Sequence, residues 1–144
     1  MNTTQFWPAF GLLLVDSLEV MKMPAISLVC LVLSAGMAAS FRGGRWKPHY
    51  WLVFTQFLFV PLVATVGALF QAGMRNPAEP LPKATPVGDW LIYILFYLSL
   101  ALSVFWIYRM NGLRCFGLCL LAIQEIVLLG AIFAAGMSIS GAWI

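Results

Sequence analysis

Residues 115 to 139 read CFGLCLLAIQEIVLLGAIFAAGMSI, 25 positions with a single charge, Glu125. As a helix rising 1.5 Å per residue this stretch is about 37 Å long, enough for the hydrocarbon core of a bilayer, about 30 Å. Two other stretches read the same way. Residues 50 to 72 (YWLVFTQFLFVPLVATVGALFQA) carry no charge over 23 positions, and residues 90 to 108 (WLIYILFYLSLALSVFWIY) none over 19. Asp89, just ahead of the latter, is placed to cap its first turn. Residues 25 to 41 (AISLVCLVLSAGMAASF) are equally apolar, but they follow Asp16, Glu19, Lys22 and Pro24, which blur where that helix starts. The pattern predicts four crossings, over about 24–41, 50–72, 90–108 and 115–139.

Composition agrees with that reading. Of 144 residues, 62% are hydrophobic and 9% charged, against roughly 25% charged in soluble domains. So few charges cannot cover a water-facing surface, which excludes a soluble globular enzyme. Four crossings of about 20 residues with short connections use up the chain. The expected fold class is an all-α integral membrane protein, a four-transmembrane-helix bundle forming a single membrane domain over residues 1–144. Its first helix carries an N-terminal extension, amphipathic or kinked.

Two geometries fit that extension, residues 1–22. A straight helix from Ala9 to Phe41 would be about 50 Å long and would project into water. Alternatively, residues 5 to 22 lie in the interface and Pro24 starts the crossing, since proline in a first helical turn forfeits no hydrogen bond. Trp7 favours the interfacial form, because tryptophan prefers the headgroup level. The segment does not read as a secretory signal: it has no basic n-region, and Asp16 and Glu19 interrupt its apolar run.

Basic residues alternate between the connections. Arg42, Arg45 and Lys47 follow the first crossing, and Arg109 and Arg114 separate the third from the fourth. Lys22, Arg75 and Lys83 fall on the other side, with Asp16, Glu19, Glu79 and Asp89. The positive-inside rule then makes the first set cytoplasmic and predicts both termini on the non-cytoplasmic side. Trp46, Tyr50, Trp51, Trp106 and Tyr108 fall at the expected inner boundary, and Trp90 and Trp143 at the outer one. The basic residues form no stripe that could follow a phosphate backbone, so nucleic acid is not an expected partner. The lipid bilayer is, with Arg42, Arg45 and Lys47 near anionic headgroups. The outer connection, residues 73–88, holds four of the eight prolines and reads as a stiff, extended loop.

Glu125 is the residue with the sharpest chemical implication. It lies near mid-membrane, where an ionised carboxylate costs at least about 2.5 kcal/mol on insertion scales. It must be protonated, paired or facing water, and no basic residue shares its depth. Gln124, Gln56, Ser99 and Ser103 fall at similar depth and would form a polar layer with it, and Tyr97 could extend that layer outwards. Cys30 and Ser34 lie at that depth too. Pro61, in the middle of the second crossing, is expected to kink it. These residues are candidates either for proton or cation binding or for hydrogen bonds between helices.

Asp16, Glu19 and Lys22, spaced i, i+3, form a charge cluster at the outer mouth or the solvated face of an interfacial helix. Gly130, Ala134 and Ser138 recur every four residues, a spacing that lets helices approach closely, within the bundle or between subunits. Cys115, Cys119 and His49 are too few ligands for a zinc site, and no metal or cofactor is expected. A lone histidine rules out bis-histidine haem within the chain. With no nucleophile–base pair or phosphate loop, catalysis is not expected. Two readings of function remain. The first is a small non-catalytic membrane subunit or interaction partner, packing against partner subunits or as a homo-oligomer. The alternative is a small transporter or channel component using Glu125 as a proton or cation site.

Overall fold

The computed structural model describes residues 3–41, 46–74 and 86–140, and every element in them is helical. The helices are α1 (Thr3–Glu19), α2 (Pro24–Phe41), α3 (Phe59–Met74), α4 (Pro86–Arg109) and α5 (Arg114–Ser140). Short 3-10 segments cover Val20–Lys22 and Pro48–Leu58. Among the described residues, four helices are long and apolar enough to cross a membrane: Pro24–Phe41, Pro48–Phe70, Val87–Arg109 and Arg114–Ser140. Arg42, Arg45, Trp143 and most of the proline-rich connection lie outside the described residues.

The N-terminal region is a broken helix. The 3-10 turn at Val20–Lys22 and the extended Met23 (ψ 126°) interrupt it, and Pro24, which has no N–H to leave unpaired, opens α2. The Ser27 hydroxyl donates to the Met21 carbonyl across this break, and the Lys22 Nζ lies 2.6 Å from Glu19 Oε1. The break before Pro24 is that of the bent form of the extension. α1 packs along α3 and α5, burying Leu13 and Ser17. Trp7, used to argue for the interface, points outward at 68% exposure.

Pro61 does not kink the middle of a helix. The chain runs as 3-10 helix to Leu58 and changes to α-helix at Phe59, so Pro61 sits in the first turn of α3. Backbone N–H groups there lack an intrahelical acceptor in any case. The Phe59 N–H is shared between the Gln56 and Phe57 carbonyls as the register changes.

α5 is the central helix and touches each of the other four. Its small residues make this possible. A Cβ at Gly130 would lie 2.6 Å from the Ser17 carbonyl oxygen and 2.8 Å from Val20 Cγ2. On α3, a Cβ at Gly67 would lie 2.8 Å from Ala135 Cβ and 3.0 Å from Leu13 Cδ1. Ala134 is buried beside Leu13, Ala64 and Ala68, and the Ser138 hydroxyl donates to the Gly67 carbonyl at 3.4 Å. The stripe Gly130, Ala134, Ser138 thus closes the bundle internally. α4 returns to α5 through a turn at Asn111 and Gly112, where Gly112 holds φ +96°, a conformation that glycine adopts without strain.

Gly67→Leu is expected to destabilise the fold by about 1–3 kcal/mol, the usual cost of overpacking. Gly136→Ala, where a Cβ meets nothing within 4 Å, is expected to be neutral or stabilising by under about 1 kcal/mol. Thermal midpoints of the two purified variants in detergent check the contrast.

Candidate functional site

Among the described residues, two of the three apolar clusters in the bundle interior flank the site. One gathers Val53, Met110, Leu120 and Leu121 around Tyr50, and the other Val63, Ile92, Leu128 and Ala131 with their neighbours. Between them in sequence on every contributing element lies a polar layer: Gln56, Ser99, Ser103, Gln124 and Glu125. Gln56 is 1% exposed, Ser99 and Gln124 0% and Ser103 5%.

The hydrogen bonds run in one direction. Gln124 Nε2 donates to the Gln56 carbonyl (3.4 Å) and to Ser99 Oγ (3.2 Å). Ser99 Oγ then donates to Glu125 Oε1 at 2.9 Å, and Ser103 Oγ donates to the same oxygen at 2.9 Å. The orientation of the Gln124 amide follows from its partner, because a backbone carbonyl only accepts and the NH2 must face it. Three elements meet here: the 3-10 segment supplies Gln56, α4 both serines, and α5 the glutamine and the glutamate.

The layer is incompletely paired. Glu125 Oε2, Gln124 Oε1 and both side-chain polar atoms of Gln56 are buried without a hydrogen-bond partner. Each such group ordinarily costs about 1–3 kcal/mol, so a buried set of them calls for a physical reason.

Of the residues singled out from the sequence, the structure brings together Glu125, Gln124, Ser99, Ser103 and Gln56. Tyr97 is separate, 66% exposed on α4. The Ser34 hydroxyl donates to the Cys30 carbonyl one turn back, which keeps both on α2. Cys115 is exposed, and Cys119 Sγ lies 3.1 Å from a Cβ built on Gly36, against α2. His49 packs edge-on to the Tyr50 ring, centroids 4.7 Å apart.

Sequence reasoning missed two contacts. Tyr50, expected at a boundary, is fully buried and donates to the Asn111 carbonyl at 3.0 Å, tying the 3-10 segment to the α4–α5 turn. The main-chain carbonyl of Gln56 is an acceptor in the polar layer because the 3-10 segment ends beside it. No composition or spacing signal marks either contact. No family model, curated protein or solved structure matches the chain.

Removing either serine hydroxyl leaves Glu125 Oε1 one donor short. A double-mutant cycle of Ser99→Ala with Glu125→Leu should therefore give a coupling of roughly 0.5–2 kcal/mol. Glu125→Gln, whose amide oxygen still accepts from both serines, should lose less stability than Glu125→Leu. Unfolding in mixed micelles measures both.

Proposed function

We propose that the chain is a multi-pass integral membrane protein, a four-transmembrane-helix bundle acting as a non-catalytic subunit or interaction partner in a larger membrane assembly. The observation that carries this reading is the surface of α2 and the break before it. α2 has no buried residue. It rests on α5 along one side, and Leu28, Leu31 and Val32 with Ala35 and Ala39 line an exposed face.

The charges at the break sharpen the point. Gly130 meets Ser17 and Val20, so the neighbouring Glu19–Lys22 pair lies near its level. Gly130 is about 24 Å along α5 from Arg114 and about 15 Å from Ser140. With α5 embedded, that pair, with side chains 54% and 74% exposed, would face hydrocarbon. Charges at such depth cost several kcal/mol against lipid. A protein surface that receives them and covers α2 removes that cost. The small-residue stripe of α5 is already occupied by α1 and α3, so α2 is the docking element in this reading.

A second reading, a proton- or cation-coupled transport component, is favoured by one observation, the buried and unpartnered Oε2 of Glu125. Lys47, Arg109 and Arg114 fall at one end of the helices, that of the Tyr50–Asn111 bond, and this supports the orientation with both termini on the non-cytoplasmic side.

Ala35→Trp and Ala39→Trp are expected to release the chain from its assembly without altering its helicity or thermal midpoint. Size-exclusion analysis of native membranes extracted in mild detergent checks this. A wild-type chain that runs as a monomer under those conditions overturns the subunit reading. Cys115, exposed at the basic end, should react with a membrane-impermeant maleimide in inverted vesicles and not in intact cells. The opposite pattern reverses the orientation.

A further inference from the structure

The polar layer has a surplus of acceptors. The hydroxyl protons of Ser99 and Ser103 are both spent on Glu125 Oε1, and Gln124 Nε2 is spent on Ser99 and the Gln56 carbonyl. Three side-chain oxygens then remain buried without a donor: Glu125 Oε2, Gln124 Oε1 and Gln56 Oε1. One amide is left for them, Gln56 Nε2, with two N–H donors. Even if each reaches a different oxygen, one stays unsatisfied, and with Glu125 ionised further side-chain rotation supplies no proton.

Charge points the same way. An ionised Glu125 would hold an unbalanced negative charge inside the bundle, because among the described residues the ion pair present is Glu19–Lys22, at the helix break. Lys47, Arg109 and Arg114 sit at the ends of their helices. A ligand that satisfied the layer would bring positive charge and accept several oxygen ligands at once. Water supplies two protons and no charge. A divalent ion matched to one carboxylate would leave a net positive charge buried, which is costly. A monovalent cation balances the single carboxylate, and hard cations of this kind take carboxylate, amide and hydroxyl oxygens.

We infer that Gln56, Gln124 and Glu125 form a binding site for a monovalent alkali cation, with Ser99 and Ser103 positioning the Glu125 carboxylate. The site deepens the second reading by naming its ligand, but it requires no flux: a structural ion that locks the 3-10 segment, α4 and α5 together would use the same oxygens. Binding therefore stands or falls separately from transport and from docking through α2.

The test uses the full chain purified in detergent without sodium or potassium, with choline chloride as the reference salt. At equal ionic strength, replacing choline by sodium or potassium chloride should raise the thermal midpoint by at least about 3 °C, the linkage expected of a ligand well above its dissociation constant. The rise should vanish in Glu125→Gln and shrink in Gln124→Leu, and it should persist in Ala35→Trp. Radioactive sodium binding to the wild-type chain, displaced by unlabelled sodium and not by choline, gives the same answer without a variant. An equal midpoint in all three salts with no saturable sodium binding overturns the inference. A rise that survives in folded Glu125→Gln overturns it too.

Discussion

The other helices reach their places by packing on α5, and what permits this is missing side-chain volume along one stripe of it. Gly130 admits the Ser17 carbonyl, and Gly67 on the facing helix admits Ala135 and Leu13. Where the surroundings are apolar, burying hydrocarbon gives little drive for helices to associate, so dispersion contacts at close range and interhelical hydrogen bonds must do it. A larger side chain at either glycine would hold backbones apart and lose both. That α1 lies against α3 and α5 follows from these contacts, because its buried residues, Leu13 and Ser17, are the ones that meet the stripe.

Lower on α5 the same helix solves a different problem with different residues. Gln124 and Glu125 put an amide and a carboxylate between two apolar clusters, where a polar group without a partner is expensive. Partners come from both sides: two serines one turn apart on α4, and the Gln56 carbonyl at the end of a 3-10 segment, which accepts from Gln124 as well as from the Phe59 N–H. That segment is unusually long for its type, 11 residues, since 3-10 runs beyond three or four residues are uncommon. Its change to α-helix at Phe59 falls beside Gln56, so the irregular backbone and the polar layer occupy one place in the fold. Tyr50 fixes the far end of the segment to the α4–α5 turn, which leaves Gln56 little freedom to slide.

How much of this could be read in the sequence depended on the range of the interaction. The four long apolar helices were legible because hydropathy accumulates over about 20 residues and needs no knowledge of neighbours. Depth along each helix was legible for the same reason, and depth alone gathers Gln56, Ser99, Ser103, Gln124 and Glu125. Azimuth was not. Tyr97 lies within two residues of Ser99, yet it faces outward, because helix rotation is set by packing that the sequence does not display. The 3-10 register was hidden as well, and with it the harmless position of Pro61. For α1, a tryptophan and three charges suggested an interface, whereas the deciding feature was the fit of Leu13 and Ser17 to glycines more than 50 and more than 100 residues away.

The polar layer and the exposed surface of α2 occupy different faces of α5. Glu125 turns towards α4, where both serines donate to it, while α2 meets α5 through contacts such as Gly36 with Cys119. Among the described residues, the 3-10 segment and α4 supply the hydrogen-bond partners of Glu125 and Gln124, and α2 supplies none of them. Substitutions on sites that share no partner combine nearly additively. A ligand held by the layer would thus stabilise α4, α5 and the 3-10 segment as a block, and a partner seated on α2 would act on the broken α1–α2 unit. If the two events influence each other, α5 is the element through which they most directly can, because it touches α2 on one side and carries Gln124 and Glu125 on another.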